Sequence, residues 1–134
     1  MKLKEKYTEL KNENITSIIL IKSGSFYLTF DNDATILNYI FSYQINGSKV
    51  GFPLKNIDKV VSILNEKSIN CIVLEDNEIK NFEHEINNYS LLFNEAKKFE
   101  FNFSMNNMLI DRIKFLLEKD PDNYLKIKRF IDEF

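Results

Sequence analysis

Residues 18–34 read IILIKSGSFYLTFDNDA, and this stretch decides the fold. Residues 17–22 form a short β-branched run and residues 25–30 an aromatic-rich one, with Ser23-Gly24 between them as hairpin turn chemistry. Asp31 or Asp33 can accept backbone N–H groups as a helix cap, and residues 34–43 then set Ile36, Leu37, Ile40 and Phe41 on one helical face. Two strands running directly into an amphipathic helix predict a sheet covered by helices.

The same alternation continues on both sides. Leu3, Tyr7 and Leu10 repeat at helical spacing in residues 2–14. Downstream, Asn46-Gly47 signals a turn, residues 49–52 a strand ended by Pro53, and Asn56 or Asp58 the cap of a helix carrying Ile57, Val60, Val61 and Leu64. The unbroken apolar run at residues 69–74 predicts a central strand buried on both faces. Residues 81–103 mix patterns: alternation through Phe82, His84 and Ile86, a helix over 90–98, and a strand-like FEFNF at 99–103. Ser104 then offers a cap for a helix carrying Met105, Met108, Leu109, Ile113, Leu116 and Leu117, broken at Asp120-Pro121 and followed by a last helix. The expectation is an α/β fold, a small mixed β-sheet flanked by helices, over residues 1–103, with a C-terminal helical tail over 104–134 packed on the same domain.

Composition bounds what such a domain can do. The 134 residues, 44% hydrophobic and 28% charged, suit one core, and three glycines and two prolines leave little material for linkers. A net charge of −2 gives no overall pull toward phosphate. With Arg112 and Arg129 the only arginines, bidentate reading of guanine in the major groove is nearly out of reach. Cys71 alone excludes an internal disulfide, and no apolar run approaches the roughly 20 residues that span a bilayer, so a cytoplasmic location and no membrane contact are expected.

The sequence also excludes several chemistries. His84 is the only histidine, which leaves little for a zinc site or a Ser/His/Asp triad, and Cys71 lies in the most apolar run as a small hydrophobe. Carboxylates at Asp31 and Asp33, or at Glu75, Asp76 and Glu78, are the residue type that holds Mg²⁺, but they read better as a helix cap and a solvated strand end. Gly24, Gly47 and Gly51 are too far apart for a phosphate loop or a dinucleotide fingerprint. No enzymatic activity, metal or other cofactor is expected.

Within residues 18–34 the order apolar strand, Gly-x-Phe-Tyr-x-x-Phe, then Asp-Ala entering a helix resembles the start of the mismatch-recognition domain of the MutS family, domain I. The resemblance continues through Val50-Gly51-Phe52-Pro53, the helix at 57–64 and Cys71-Ile-Val-Leu-Glu75, covering about the first 76 residues. It implies a DNA-binding module that recognises distorted or mismatched duplex through a Phe-x-Glu pair, the Phe wedging into the base stack from the minor groove. Phe26 matches the wedge. Leu28 stands at the Glu position and cannot accept a base's hydrogen bond. Lys22, Ser25 and Lys49 complete the candidate contacts. The tail resembles none of the family's connector, lever or ATPase segments, so the domain is expected to act alone, as a homodimer through its last helix, or beside a partner.

Alternation by itself would point Phe26, Leu28 and Phe30 into the core and Tyr27 and Thr29 outward; the resemblance reverses this for Phe26. A shared exposed face for Phe26 and Leu28 is also an apolar patch that suits a protein. The alternative to DNA is therefore a protein-interaction module, such as a mobile-element regulator or inhibitor of a nucleic-acid enzyme. Basic residues around Phe26 would favour DNA; an apolar or acidic surround would favour protein.

Overall fold

The two apolar runs pair as the sequence predicts in the computed structural model, which describes residues 2–134. Strands β1 (Ile18–Ser23) and β2 (Phe26–Phe30) form an antiparallel hairpin with Ser23 opposite Phe26. Its two-residue loop is Gly24-Ser25. Gly24 has φ 60° at the first central position, where a hairpin loop matching strand twist calls for glycine. The remaining elements are α1 (Leu3–Glu13) before the hairpin, then α2 (Asp31–Phe41), β3 (Lys49–Pro53), a single 3₁₀ turn (Leu54–Asn56), α3 (Ile57–Glu66), β4 (Cys71–Glu75), β5 (Glu78–Phe82), α4 (Tyr89–Lys119) and α5 (Asp122–Asp132).

The five strands make one mixed sheet in the order β3-β2-β1-β4-β5, with β1 parallel to β4 and every other pair antiparallel. The middle strand is β1, and β4 lies beside it, so the run at 69–74 is interior but not the centre. Because successive side chains alternate, β1 sends Ile18 and Leu20 to one face and Ile19 and Ile21 to the other, and all four are buried. The larger core joins Ile18, Leu20, Tyr27, Val50, Phe52, Cys71 and Val73 to side chains from α2, α3 and the first turns of α4. The smaller joins Ile19, Ile21, Phe30 and Ile72 to Tyr7 of α1, with Leu3, Leu10, Leu28 and Leu74 at its edge.

The two faces are tied together by one buried carboxylate. Asp33 accepts from the Tyr7 hydroxyl at 2.7 Å, the Tyr89 hydroxyl at 2.6 Å, Lys11 Nζ at 2.7 Å and the Ile19 amide at 3.1 Å, linking α1, α2, β1 and α4. This corrects its reading as a helix cap. Residue Phe30 precedes α2, with no side chain capping it, and α3 likewise starts after Asn56 without a side-chain cap.

Two further expectations are revised. Residues 99–103 are helical, and Ser104 is internal to α4 and caps nothing. Phenylalanines at 99, 101 and 103 satisfy a period of two, yet Phe99 and Phe103 are also one helical turn apart, and their rings stack at 6.3 Å. Tyr27 and Thr29 are buried, not solvent-facing, and Phe30 is buried on the opposite face, since helices cover both faces of the sheet; in β2 only Phe26 is exposed.

Two compact units divide the chain, Met1–Lys97 and Lys98–Phe134. The second is a helical hairpin in which α4 and α5 meet along Ile113, Leu116, Asn123 and Ile127, and Asn123 Nδ2 donates to the Leu116 carbonyl at 2.7 Å. Among the described residues no helix is long and apolar enough to cross a membrane.

Candidate nucleic-acid interface

The Phe26-Tyr27 pair divides between solvent and core. Tyr27 points into the larger core, its ring stacked on Phe52 at 5.7 Å and its hydroxyl donating to Glu75 Oε2 at 2.9 Å. Burial first, and then the Glu75 carboxylate, push the Tyr27 hydroxyl up to about 12. That anchor fixes the strand, and the pleat turns the next side chain to the opposite face. Phe26 is 49% exposed there, the first residue of β2, between Ser23 on β1 and Pro53 on β3.

Leu28 shares that face and is half-buried at the edge of the smaller core. It stands opposite Gly51 and leans over it: a Cβ at Gly51 would lie 2.8 Å from Leu28 Cδ2. The glycine makes room for the leucine, and together with Pro53 they carry an apolar surface from the core edge out to Phe26.

The polar candidates lie in three different places. Ser25 is exposed in the turn, and its carbonyl accepts from the Leu54 amide at 3.3 Å. Lys49 is exposed and shares Phe26's face, but it pairs with Phe30 at the far end of the hairpin, roughly 13 Å along the strand at the usual rise. Lys22 pairs with Tyr27 and so belongs to the other face. Its ammonium sits 3.1 Å from Asp76 Oδ2 and 3.7 Å from Glu75 Oε1, and the hydrogen bond to Asp76 raises its pKa.

Sequence reasoning missed Lys55. The Ser25–Leu54 hydrogen bond ties the 3₁₀ turn to the tip of the hairpin, and exposed Lys55 follows directly. Pairing Pro53 with Phe26 was the signal that would have found it. The register thus sets Ser23 and the apolar Pro53 beside Phe26, with Lys55 two positions beyond Pro53 in the chain.

An acidic cleft lies elsewhere on the first unit. Of about 650 Å³, between α3 and the β4–β5 hairpin, it has Ile57, Val61, Val73 and Phe82 as apolar lining and Asp58, Glu66 and Glu75 against the single cation Lys80. Three carboxylates against one ammonium make this cleft unfavourable for phosphate. Remaining candidate groups serve the fold. Burial raises the pKa of the Cys71 thiol, which suppresses its nucleophilic form. His84 Nε2 lies 3.0 Å from Asn65 Oδ1 and its amide donates to Asn70 Oδ1, pinning a connecting segment.

No curated protein matches the chain. The sequence pattern of MutS domain I, however, matches residues 2–94, a span that takes in both sheet faces, the Asp33 network and the Phe26 hairpin. The chain belongs to the MutS domain I family, a membership that supports a MutS-like DNA-binding module.

Proposed function

We propose that this chain binds distorted duplex DNA, bulged or mismatched, through the β2–β3 end of its sheet, as a binding module without catalysis of its own. The observation that carries the reading is Phe26, a large aromatic held half in solvent on a strand whose next residue is locked in the core. An apolar side chain on a rigid strand can enter a base step that is already loosened, where the cost of unstacking is lowest. Lys55, and Lys49 farther along the same face, supply phosphate contacts. Leu28 offers no hydrogen-bond acceptor, so recognition depends on how easily the duplex deforms and not on the identity of a mispaired base.

A protein partner for the same patch is the second reading, favoured by the continuous apolar surface of Phe26, Leu28 and Pro53 and by the neutralised Lys22.

A titration against matched, mismatched and bulged duplexes at two salt concentrations tests the proposal. Bulged or mismatched duplex should bind more tightly than matched, and affinity should fall as salt rises. Phe26→Ala should remove the preference, a loss on the order of 1–3 kcal/mol, while leaving weak salt-dependent binding. Leu28→Glu separates the readings. A carboxylate beside an unstacked base can restore an acceptor worth about 1 kcal/mol, whereas in a protein interface it places a desolvated charge and weakens the complex. Wild-type protein that binds every duplex equally, or none, would sink the DNA reading.

A further inference from the structure

The helical hairpin of residues 98–134 contains no buried residue. Even its seam residues Ile113, Leu116, Asn123 and Ile127 are only half-buried, and thirteen large apolar side chains between Phe101 and Phe134 are exposed. Beside the seam runs an almost wholly apolar groove of about 490 Å³, lined by Leu109, Ile113, Leu116, Ile127, Phe130 and Ile131, with Phe134 at one edge. Two helices of this length cannot enclose a core between them, and the apolar side chains they leave in solvent require cover.

We infer that this hairpin docks against the same hairpin of a second copy of the chain, forming a four-helix bundle about a two-fold axis. Charge argues for a second copy. Residues 98–134 hold seven basic and seven acidic side chains, so two copies meet without net repulsion, whereas nucleic acid or a strongly charged protein would call for a bias of one sign. Shape agrees, because each hairpin presents an apolar groove whose lining includes Phe130 and Phe134 at 61% and 97% exposure, open to the apolar side chains of another copy. The area also suffices. Half-exposed side chains of this size leave on the order of 100 Å² each in solvent. Covering most of the exposed set reaches the roughly 800 Å² per partner typical of stable interfaces. The Lys128–Asp132 ion pair, 2.7 Å within α5, fits the polar rim of such a bundle.

Sedimentation equilibrium or light scattering of the full chain provides the test, independently of any DNA binding. The expected mass is twice the 15.9 kDa of the chain. Leu109→Glu combined with Phe130→Glu should halve that mass with helical content kept, because both side chains are exposed and lie outside the seam. Phe134→Glu, past the end of α5, cannot break a helix and should shift the monomer–dimer midpoint to higher concentration. Phe26→Ala should leave the mass unchanged. A monomer at the highest soluble concentration overturns the proposal, as does an assembly larger than two copies. So does a dimer that persists in both groove variants or is lost in Phe26→Ala.

Discussion

Asp33 is the side chain on which the first unit depends most. Its four donors come from elements that the chain brings together only on folding, and its carboxylate is fully enclosed. Asp33→Ala would take the charged acceptor from the Lys11 ammonium, which keeps only the Ser17 carbonyl and the Tyr89 hydroxyl, and the buried acceptor from the Tyr89 hydroxyl and the Ile19 amide. Loss of one partner from a buried charged pair costs about 3–5 kcal/mol. The urea midpoint should therefore fall well below that of the wild type, and Asp33→Asn, which keeps the shape, should cost less; equal midpoints for wild type and Asp33→Ala would refute the assignment. The same network sets a pH dependence. Burial first, and the Asp33 charge second, raise Tyr7 and Tyr89 far above the ordinary 10.0. Below pH 10 both tyrosines are protonated whether the chain is folded or not. Above it only the unfolded chain releases the protons, so stability falls as pH rises. Lys11 acts in the opposite sense. Burial outweighs Asp33 and lowers its pKa from 10.5, so between its folded value and 10.5 rising pH favours the folded chain. Unfolding titrations on either side of pH 10 should show a loss above it that is flattened in Tyr7→Phe with Tyr89→Phe.

At the scale of elements, the hairpin, α2, β3, α3 and β4 were legible because each has a period that matches its burial and a turn residue at its boundary. Gly24 and Gly47, both with positive φ, mark turns that the sequence announces. What failed was legible in principle. Asp76 and Asn77 take φ 48° and 70° between paired Glu75 and Glu78, the two-residue loop of a hairpin, and both residue types tolerate that conformation. The strand that follows, β5, lies at the sheet edge with only Phe82 turned inward, so no apolar run advertised it. The stretch 99–103 misled for the converse reason: aromatic alternation carries no information about whether a partner strand exists, and both edges of the sheet are filled by other segments. Of the candidate site, Phe26 and Leu28 were readable by resemblance. The separation of Lys22 from Phe26 follows only from register, as does the arrival of Lys55.

For the whole molecule, the distribution of burial separates two kinds of stability. Every buried side chain lies at or before Ala96, and the first compact unit ends at Lys97. A chain ending after Lys97 therefore keeps both cores, the Asp33 network and the Tyr89, Leu92 and Ala96 face of α4. What it loses in the shortened helix is the pairing of its last carbonyls, which water satisfies, and Lys97 sits favourably at the new negative end of the helix dipole. The cost should be no more than about 1 kcal/mol, or roughly 4–8 °C in Tm for a domain of this size. Calorimetry should show a single cooperative transition for the truncated chain, with far-ultraviolet dichroism reduced by the helices removed. Its mass should be that of a monomer even at concentrations where the full chain pairs, since the apolar groove goes with the deleted segment. A truncated chain that fails to fold would mean that the hairpin completes the core of the first unit. A truncated chain that still dimerises would move the interface onto the first unit, and loss of that dimer in Phe26→Ala would strengthen the protein reading of the Phe26 patch over the DNA one.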